Sequence, residues 1–272
     1  MTERVNCPIC KADSAVQVRS AADIVKCVFC STVYLRTRPT VNELEKHYQM
    51  YADNPGSHMR LPDSIALAKQ SGLRRDYFMN ELLTFVGDKR EFILDIGCGW
   101  GAFLDNALDK GFKPVGVEIC NTMACYSILL LHIHVHRKQL EDCNLSPESF
   151  QVVTAIHSLE HLPVQYRALQ YIHGILEPGG LFCGIVPNFD SYSSSLLKDG
   201  WPWLDPSMHY VHFTIASLRS ALERFGFEVV RLYTATGDFD PKIIPNVSTP
   251  EEIKVLEATE QGEEIRFFAV KP

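Results

Sequence analysis

What this 272-residue chain lacks narrows the field. It has no apolar run near the ~20 residues that a membrane-spanning helix requires. The longest, Tyr126 to Leu131, is far shorter. The opening residues Met1-Thr2-Glu3-Arg4-Val5-Asn6 are polar and offer no apolar export core, so a cytoplasmic location without a membrane anchor is expected. Positive charge is in deficit: 26 Lys and Arg against 33 Asp and Glu leave a net charge of −7. Proteins whose main task is to grip a nucleic-acid backbone present a basic face, so nucleic acid is disfavoured as a partner. Internal repeats and low-complexity tracts are missing as well. The length suits one good-sized domain with a small appendage.

Cysteine, by contrast, is plentiful, with nine residues. Four of them form two pairs, Cys7-Pro8-Ile9-Cys10 and Cys27-Val28-Phe29-Cys30, and the other five are scattered through apolar segments. Without an export signal, reduced thiols are expected rather than a disulfide framework. The paired spacing falls in the range of a zinc site. Two thiolates on a two-residue knuckle reach one ion at ~2.3 Å, and a second knuckle completes a tetrahedron. Four cysteine ligands leave no open position, so the expected Zn2+ is structural. The surrounding segment is too short for a useful core, so the metal would supply folding energy. No thioredoxin-like pattern flanks either pair, which disfavours a redox role.

The most informative stretch is Phe92-Ile93-Leu94-Asp95-Ile96-Gly97-Cys98-Gly99-Trp100-Gly101-Ala102-Phe103-Leu104. An apolar strand runs into a glycine-rich turn and then a helix. Gly97 and Gly99 accept positive φ and let backbone N–H groups approach a ligand closely. Asp95 places a negative charge at the turn, which suits an ammonium or hydroxyl groups better than a pyrophosphate. Glu118, ending Val115-Gly116-Val117-Glu118, stands where an acid that binds ribose hydroxyls belongs. Gly97-x-Gly99-x-x-Ala102 also satisfies the relaxed dinucleotide fingerprint. On these residues alone, a nicotinamide dinucleotide and S-adenosylmethionine both remain open.

Along the chain, residues 1–40 are expected to form the zinc ribbon, with short strands at 24–26 and 33–35. A helix is expected from Val41 to about Tyr51, with Thr40 as its cap, and a loop over residues 52–63. The spacing of Ile65, Leu67, Leu73, Phe78, Leu82 and Val86 predicts helix over 64–86. Residues 41–90 thus form a helical lead-in. Strands follow at 92–96, 114–118, 133–136, 151–155, 181–186, 228–234 and 265–270, with helices at 102–110, 121–129, 163–176 and 215–225. Glu177-Pro178-Gly179-Gly180 is expected as a turn. The alternation predicts an α/β fold: a doubly wound, mostly parallel seven-stranded sheet, with one antiparallel edge strand from the two successive strands at the end.

Three more segments discriminate between cofactors: Ile156-His157-Ser158-Leu159-Glu160-His161-Leu162, Leu176-Glu177-Pro178-Gly179-Gly180 and His209-Tyr210-Val211-His212-Phe213-Thr214. Together with Leu94-Asp95-Ile96-Gly97-Cys98-Gly99, in that order, residues 91–272 resemble the class I S-adenosylmethionine-dependent methyltransferases. The ribbon followed by Tyr34-Leu35, Arg38-Pro39-Thr40, Leu44 and Tyr48 resembles the N-terminus of a subset that tailors sugars and other small metabolites. The resemblance implies that Gly97, Cys98, Gly99 and Gly101 wrap the methionine part of the cofactor, with Asp95 toward its amino group. It implies that Glu118 meets the ribose hydroxyls, that Ile119 also binds the cofactor, that Gln139 and Leu140 flank the adenine, and that His157 lines the methionyl end. The implied activity is methyl transfer to a small-molecule substrate. Alternatives are an RNA methyltransferase that grips RNA with its ribbon and a non-catalytic module that keeps the cofactor fold.

Methyl transfer needs alignment of nucleophile, carbon and sulfur, and removal of a proton where the nucleophile carries one. The irregular segment 187–213 is the expected lid. It carries Asn188, the run Ser191 to Ser195, Trp201, Trp203, Asp205, His209 and His212. It follows a strand at the carboxyl edge, where open α/β sheets bind ligands. His157, His209 and His212 are the candidate bases, since imidazole titrates near neutrality. Glu160 and His161 are expected to orient their loop by hydrogen bonding. His132, His134 and His136 alternate along a strand, and surface placement explains them better than a metal.

Overall fold

The computed structural model describes residues 1–52, 61–236, 244, 247 and 249–272, so most of the loop expected at 52–63 lies outside the described residues. The N-terminal strands are β1 (Thr2–Arg4), β2 (Ala15–Arg19), β3 (Ile24–Cys27), β4 (Val33–Leu35) and β5 (Thr37–Pro39). Three helices follow: α1 (Val41–Ala52), α2 (Ile65–Lys69) and α3 (Asp76–Leu82). The alternating part runs β6 (Phe92–Ile96), α4 (Ala102–Asp109), β7 (Lys113–Val117), α5 (Asn121–Leu130), β8 (His134–His136), β9 (Phe150–Ile156), α6 (Gln165–Ile175) and β10 (Leu176–Pro187). The chain finishes with α7 (Tyr192–Leu197), β11 (Val211–His212), α8 (Ile215–Arg224), β12 (Glu228–Ala235), α9 (Pro250–Ala258) and β13 (Glu264–Val270).

Seven strands form a mixed sheet in the order β12-β13-β10-β9-β6-β7-β8, with one antiparallel edge strand. Strand β6 pairs in parallel with β7 and with β9, so Leu94 lies opposite both Val115 and Val153. Ile93, Leu94, Val152 and Val153 are fully buried, as expected of strands covered on both faces. The change of strand order on either side of β6 puts the glycine turn at a topological switch point.

The helix expected over 64–86 is broken. The Ser64 and Ser71 hydroxyls accept from Leu67 N–H and Leu73 N–H, each starting a new turn, and Arg75 adopts φ 54° between the second turn and α3. Ile65, Leu67 and Leu73 are exposed, whereas Phe78, Met79 and Leu82 are buried, so the apolar spacing did not mark one continuous face. A second departure lies at Glu177–Gly180, which is the opening of β10 and not a separate turn. Gly179 N–H donates to Lys271 O and Lys271 N–H to Gly180 O, so these residues are held extended by pairing with the residue that follows β13. A Cβ on Gly180 would stand 2.7 Å from Glu177 O, which explains the residue there. Strands β1, β2, β5 and β11 and helices α7 and α9 add to the expected elements, so segment 187–213 is not irregular throughout.

The chain forms two compact units. One contains residues 1–40, 157–169 and 184–269. Within it, β2, β3, β4 and β11 form a four-stranded antiparallel sheet. Segment 187–213 therefore supplies the last strand of the ribbon sheet, with Val211 opposite Tyr34 and His212 opposite Val33. Ile24, Val33 and Leu35 share a small core with Phe189, Trp201 and Leu204. Tyr210 is buried and donates its hydroxyl hydrogen to Pro39 O at 2.9 Å.

The other unit contains residues 41–156, 170–183 and 270–272. Its core includes Trp100, Leu104, Met123, Ala124, Ile133 and Val135. Arg74 enters this unit almost fully buried, paired with Asp105 and, at 2.6 Å, with Asp109. Helix α4 is thereby held from outside the sheet by charge as well as packing.

Candidate functional site

Two constellations matter, one in each unit. In the second unit, β6 delivers Asp95 at its buried end and the chain turns through Gly97, Gly99 and Gly101, with φ of 70°, 55° and 88°. Gly97 N–H and Cys98 N–H both donate to Val117 O, at 2.8 and 3.1 Å, which fastens the turn to the end of β7. A Cβ on Gly101 would lie 2.6 Å from Ser127 Oγ, so this glycine is required by both backbone and neighbour. Cys98 turns its thiol toward Gly116, whose own missing Cβ makes room for it.

Glu118 is buried just beyond β7, and both carboxylate oxygens are engaged. Gly99 N–H donates to Oε2 at 2.9 Å and Cys120 N–H donates to Oε1 at 2.7 Å. Loss of hydration pushes its carboxyl above the usual range, and these N–H groups pull the other way. Asp95 accepts from Thr154 Oγ1 at 2.6 Å. Its carboxyl is pushed up to about 7, first by burial and further by the charge of Glu118. Two buried carboxylates with no basic side chain among their named hydrogen-bond partners suit a ligand that brings hydroxyls and positive charge. S-adenosylmethionine brings both, so the donor set fits it.

The other expected cofactor residues are placed less uniformly. Ile119 is half-buried and follows Glu118 directly. Leu140 is buried in a short 3-10 turn, Leu140–Asp142, and Gln139 opens that turn. The Gln139 amide nitrogen donates to Glu45 Oε1 at 3.1 Å, which ties it to α1.

In the first unit, the ribbon brings its four thiols together. Cys7 and Cys30 sulfurs are 3.4 Å apart, Cys10 and Cys27 3.5 Å, and all four lie within 4.8 Å of one another. A Zn–S distance of ~2.3 Å makes the edges of an S4 tetrahedron about 3.8 Å, so the quartet fits the ion. Hydrogen bonds from Cys7 and Thr32 draw the Cys30 thiol down to about 4, against the effect of burial. All nine cysteines are free thiols.

The same unit gathers the histidines. His157 follows β9 at φ 50°, a left-handed conformation that is uncommon without glycine and that histidine tolerates better than most. Its N–H donates to Ile185 O at 2.8 Å. Its ring stacks on Trp203 at 6.0 Å and 19°. Nδ1 stands 3.8 Å from Glu160 and Nε2 3.9 Å from Glu264, a buried carboxylate held by Arg266 at 2.7 Å. Trp203 stacks in turn on His209, at 6.1 Å and 8°. His212 is buried against Phe189 and Trp201, and burial, then His209, pushes its imidazole down to about 3. His161 is pushed down to about 4 by burial and His209.

Sequence reasoning expected Glu160 and His161 to orient their loop. His161 does so, through Nδ1 at 3.1 Å from Met208 O. The Glu160 side chain does not: among the described residues neither oxygen of its buried carboxylate is hydrogen-bonded, while its backbone O accepts from Tyr210 N–H at 2.9 Å. Burial raises the Glu160 carboxyl, but the surrounding His157, His161 and His209 more than offset this and hold it below its ordinary value. Also unforeseen were Thr154, the partner of Asp95, and Glu264; both lie on strands where alternation alone marks them as ordinary sheet residues.

Comparison with known proteins accords with this geometry. A family model described as "Methyltransferase domain" matches residues 72–232. Ubiquinone biosynthesis O-methyltransferase of Pseudomonas syringae pv. tomato is 28% identical over 111 residues, which is 38% of this chain and 46% of that protein. The chain thus spans about half the length of this curated relative. An S-adenosylmethionine-dependent methyltransferase structure from Mesorhizobium loti aligns at TM-score 0.55 and 20% identity, covering 73% of this chain and all of that one. The complex of the Haloferax volcanii Trm112 methyltransferase activator with its methyltransferase aligns at 0.60 and 18%, covering 83% and 97%. Among the described residues, no helix is long and apolar enough to cross a membrane. With more than half of its length matched by the family model and the sheet, turn and paired acids in place, the chain belongs to the methyltransferase domain family.

Proposed function

We propose that this enzyme methylates a hydroxyl group on a small molecule, with Cys7, Cys10, Cys27 and Cys30 holding one structural Zn2+. The observation that carries the acceptor reading is that the Trp203 ring stacks with both His157 and His209. A flat aromatic wall beside imidazoles suits a planar ring or a sugar that carries an ionisable hydroxyl. The curated relatives are named as O-methyltransferases, which supports oxygen as the atom methylated. The net charge of −7 supports a small acceptor over a nucleic acid.

Bound S-adenosylmethionine supplies a methyl group made electrophilic by its sulfonium. Asp95 balances the cofactor's positive charge, and Glu118 accepts from the ribose hydroxyls while its hold on Gly99 keeps the turn open. Gln139 and Leu140 border the adenine, and Ile119, next to Glu118, lines the cofactor. His157 accepts the hydroxyl proton of the acceptor, and the neighbouring carboxylates of Glu160 and Glu264 stabilise the resulting imidazolium. His209 stacks on Trp203, and His212 packs behind it against His209 and Trp201.

The test is transfer of labelled methyl from S-adenosylmethionine into the small-molecule and RNA fractions of a cell extract, with mass identification of the labelled product. Label in a small molecule as an O-methyl ether is expected. His157→Ala should lower turnover by roughly 10²-fold or more with cofactor affinity unchanged. Label confined to RNA, or found nowhere, would overturn the reading.

A further inference from the structure

The first unit holds a second group of side chains with the geometry of a metal site, separate from the cysteine quartet. Ligand atoms of Glu160, His161 and His209 lie within 4.8 Å of one another. Glu160 Oε1 is 3.8 Å from His161 Nε2, too long for a hydrogen bond and well suited to two ligands of one ion. The two imidazole rings meet edge to face, with centroids 4.6 Å apart.

Each ring is oriented from behind. His161 Nδ1 lies 3.1 Å from Met208 O and His209 Nδ1 lies 2.7 Å from Trp203 O. A backbone carbonyl only accepts, so in both rings the hydrogen sits on Nδ1 and the lone pair on Nε2. Metal-ligating histidines are held in this way, with the far nitrogen donating to a carbonyl or carboxylate. Between them stands the Glu160 carboxylate, 1% exposed, with neither oxygen hydrogen-bonded among the described residues. A buried carboxylate in that state carries a desolvation cost that a cation removes. The backbone fixes the arrangement, because Tyr210 N–H donates to Glu160 O and so locks residues 159–161 to residues 208–210.

We propose that Glu160, His161 and His209 bind a divalent first-row transition cation through two imidazole nitrogens and one carboxylate. Such a donor set suits Mn2+, Fe2+, Co2+ or Zn2+ better than Mg2+ or Ca2+, which favour all-oxygen shells. Three protein ligands leave coordination positions open, unlike the closed cysteine site. An open position can take the acceptor's hydroxyl, lowering its pKa and fixing its orientation. That use rests on the small-molecule reading above; binding of the cation does not.

The test is Mn2+ titration of the full chain, followed by loss of the free-ion electron paramagnetic resonance signal. Mn2+ prefers nitrogen and oxygen to thiolate, so the cysteine quartet does not compete for it. One Mn2+ per chain at micromolar concentration is expected, displaced by Zn2+ or Co2+. Glu160→Gln, His161→Ala and His209→Ala should each weaken binding by roughly tenfold or more, while His134→Ala leaves it unchanged. Zinc retained by the cysteine quartet in each variant reports that the unit remains folded. Wild-type protein that binds none of these ions beyond the first zinc, or Glu160→Gln and His161→Ala variants that bind as wild type does, would overturn the proposal. Saturable binding without detectable methyl transfer would uphold it and count against the small-molecule reading alone.

Discussion

Gly99 N–H donates to Glu118 Oε2 at 2.9 Å, across 19 residues of sequence. One carboxylate therefore closes the turn after β6 onto the end of β7, and the shape of the glycine turn and the acid beside it are a single device. Glu118→Ala removes both functions. Hydrogen bonds to charged groups contribute about 1.5–3 kcal/mol, so S-adenosylhomocysteine affinity should fall by roughly 10- to 100-fold in calorimetry. Wild-type affinity in this variant would refute the assignment of the loop.

Asp95 makes the empty protein sensitive to pH. Its carboxyl is raised in the fold to about 7 from an ordinary 3.8, so between these values the unfolded chain is ionised while the folded chain keeps its proton. The folded state binds more protons there, and its stability falls as pH rises through that window and levels off above about 7. At ~1.4 kcal/mol per pH unit the effect is bounded at about 4 kcal/mol. Asp95→Asn should flatten the melting-temperature profile between about pH 4 and pH 7 and raise stability at the alkaline end of that window. The wild-type enzyme should bind its cationic cofactor more tightly as pH rises through neutrality, and the variant should lose that trend.

Metal removal should reach beyond the ribbon. Strand β11 pairs with β4, so removing the zinc proposed at Cys7, Cys10, Cys27 and Cys30 should loosen the strand that carries His212. Metal analysis should find zinc in protein purified without chelator. Chelation, or Cys27→Ser, should abolish amide-exchange protection at Val211 and His212 together with that of β3 and β4. Protection that survives at β11 after zinc is lost would disprove the coupling.

Gly101→Ala should be costly for two separable reasons. Its φ is 88°, and its Cβ would press within 2.6 Å of Ser127 Oγ. A loss of about 1–3 kcal/mol in denaturant unfolding is expected. Adding Ser127→Ala should recover only part of it, because the backbone strain remains. Full recovery would show that crowding alone fixes this glycine.

Much of this was legible from local pattern. The alternation of apolar strands with amphipathic helices located β6 to β10, α4 to α6 and the last two strands to within a residue or two at most ends. The exception is the start of β10, where Pro178-Gly179-Gly180 suggested a turn. Pairing with Lys271, over 90 residues away, decided otherwise. Residues 64–86 misled for a related reason: leucine spacing cannot tell a buried stripe from scattered exposed side chains, and Ser64 and Ser71 start new turns where periodicity alone predicts continuation.

The sequence by itself determined the glycine turn after β6 and the cysteine quartet, because both are local. Glycine backbone freedom and two-residue knuckles are properties of neighbouring residues. Only the tertiary structure decided what Glu160, His161 and His209 do together, and that the lid segment supplies a strand to the ribbon. Those partners are separated by tens to well over a hundred residues, and no periodicity encodes which buried carboxylate will meet which imidazole.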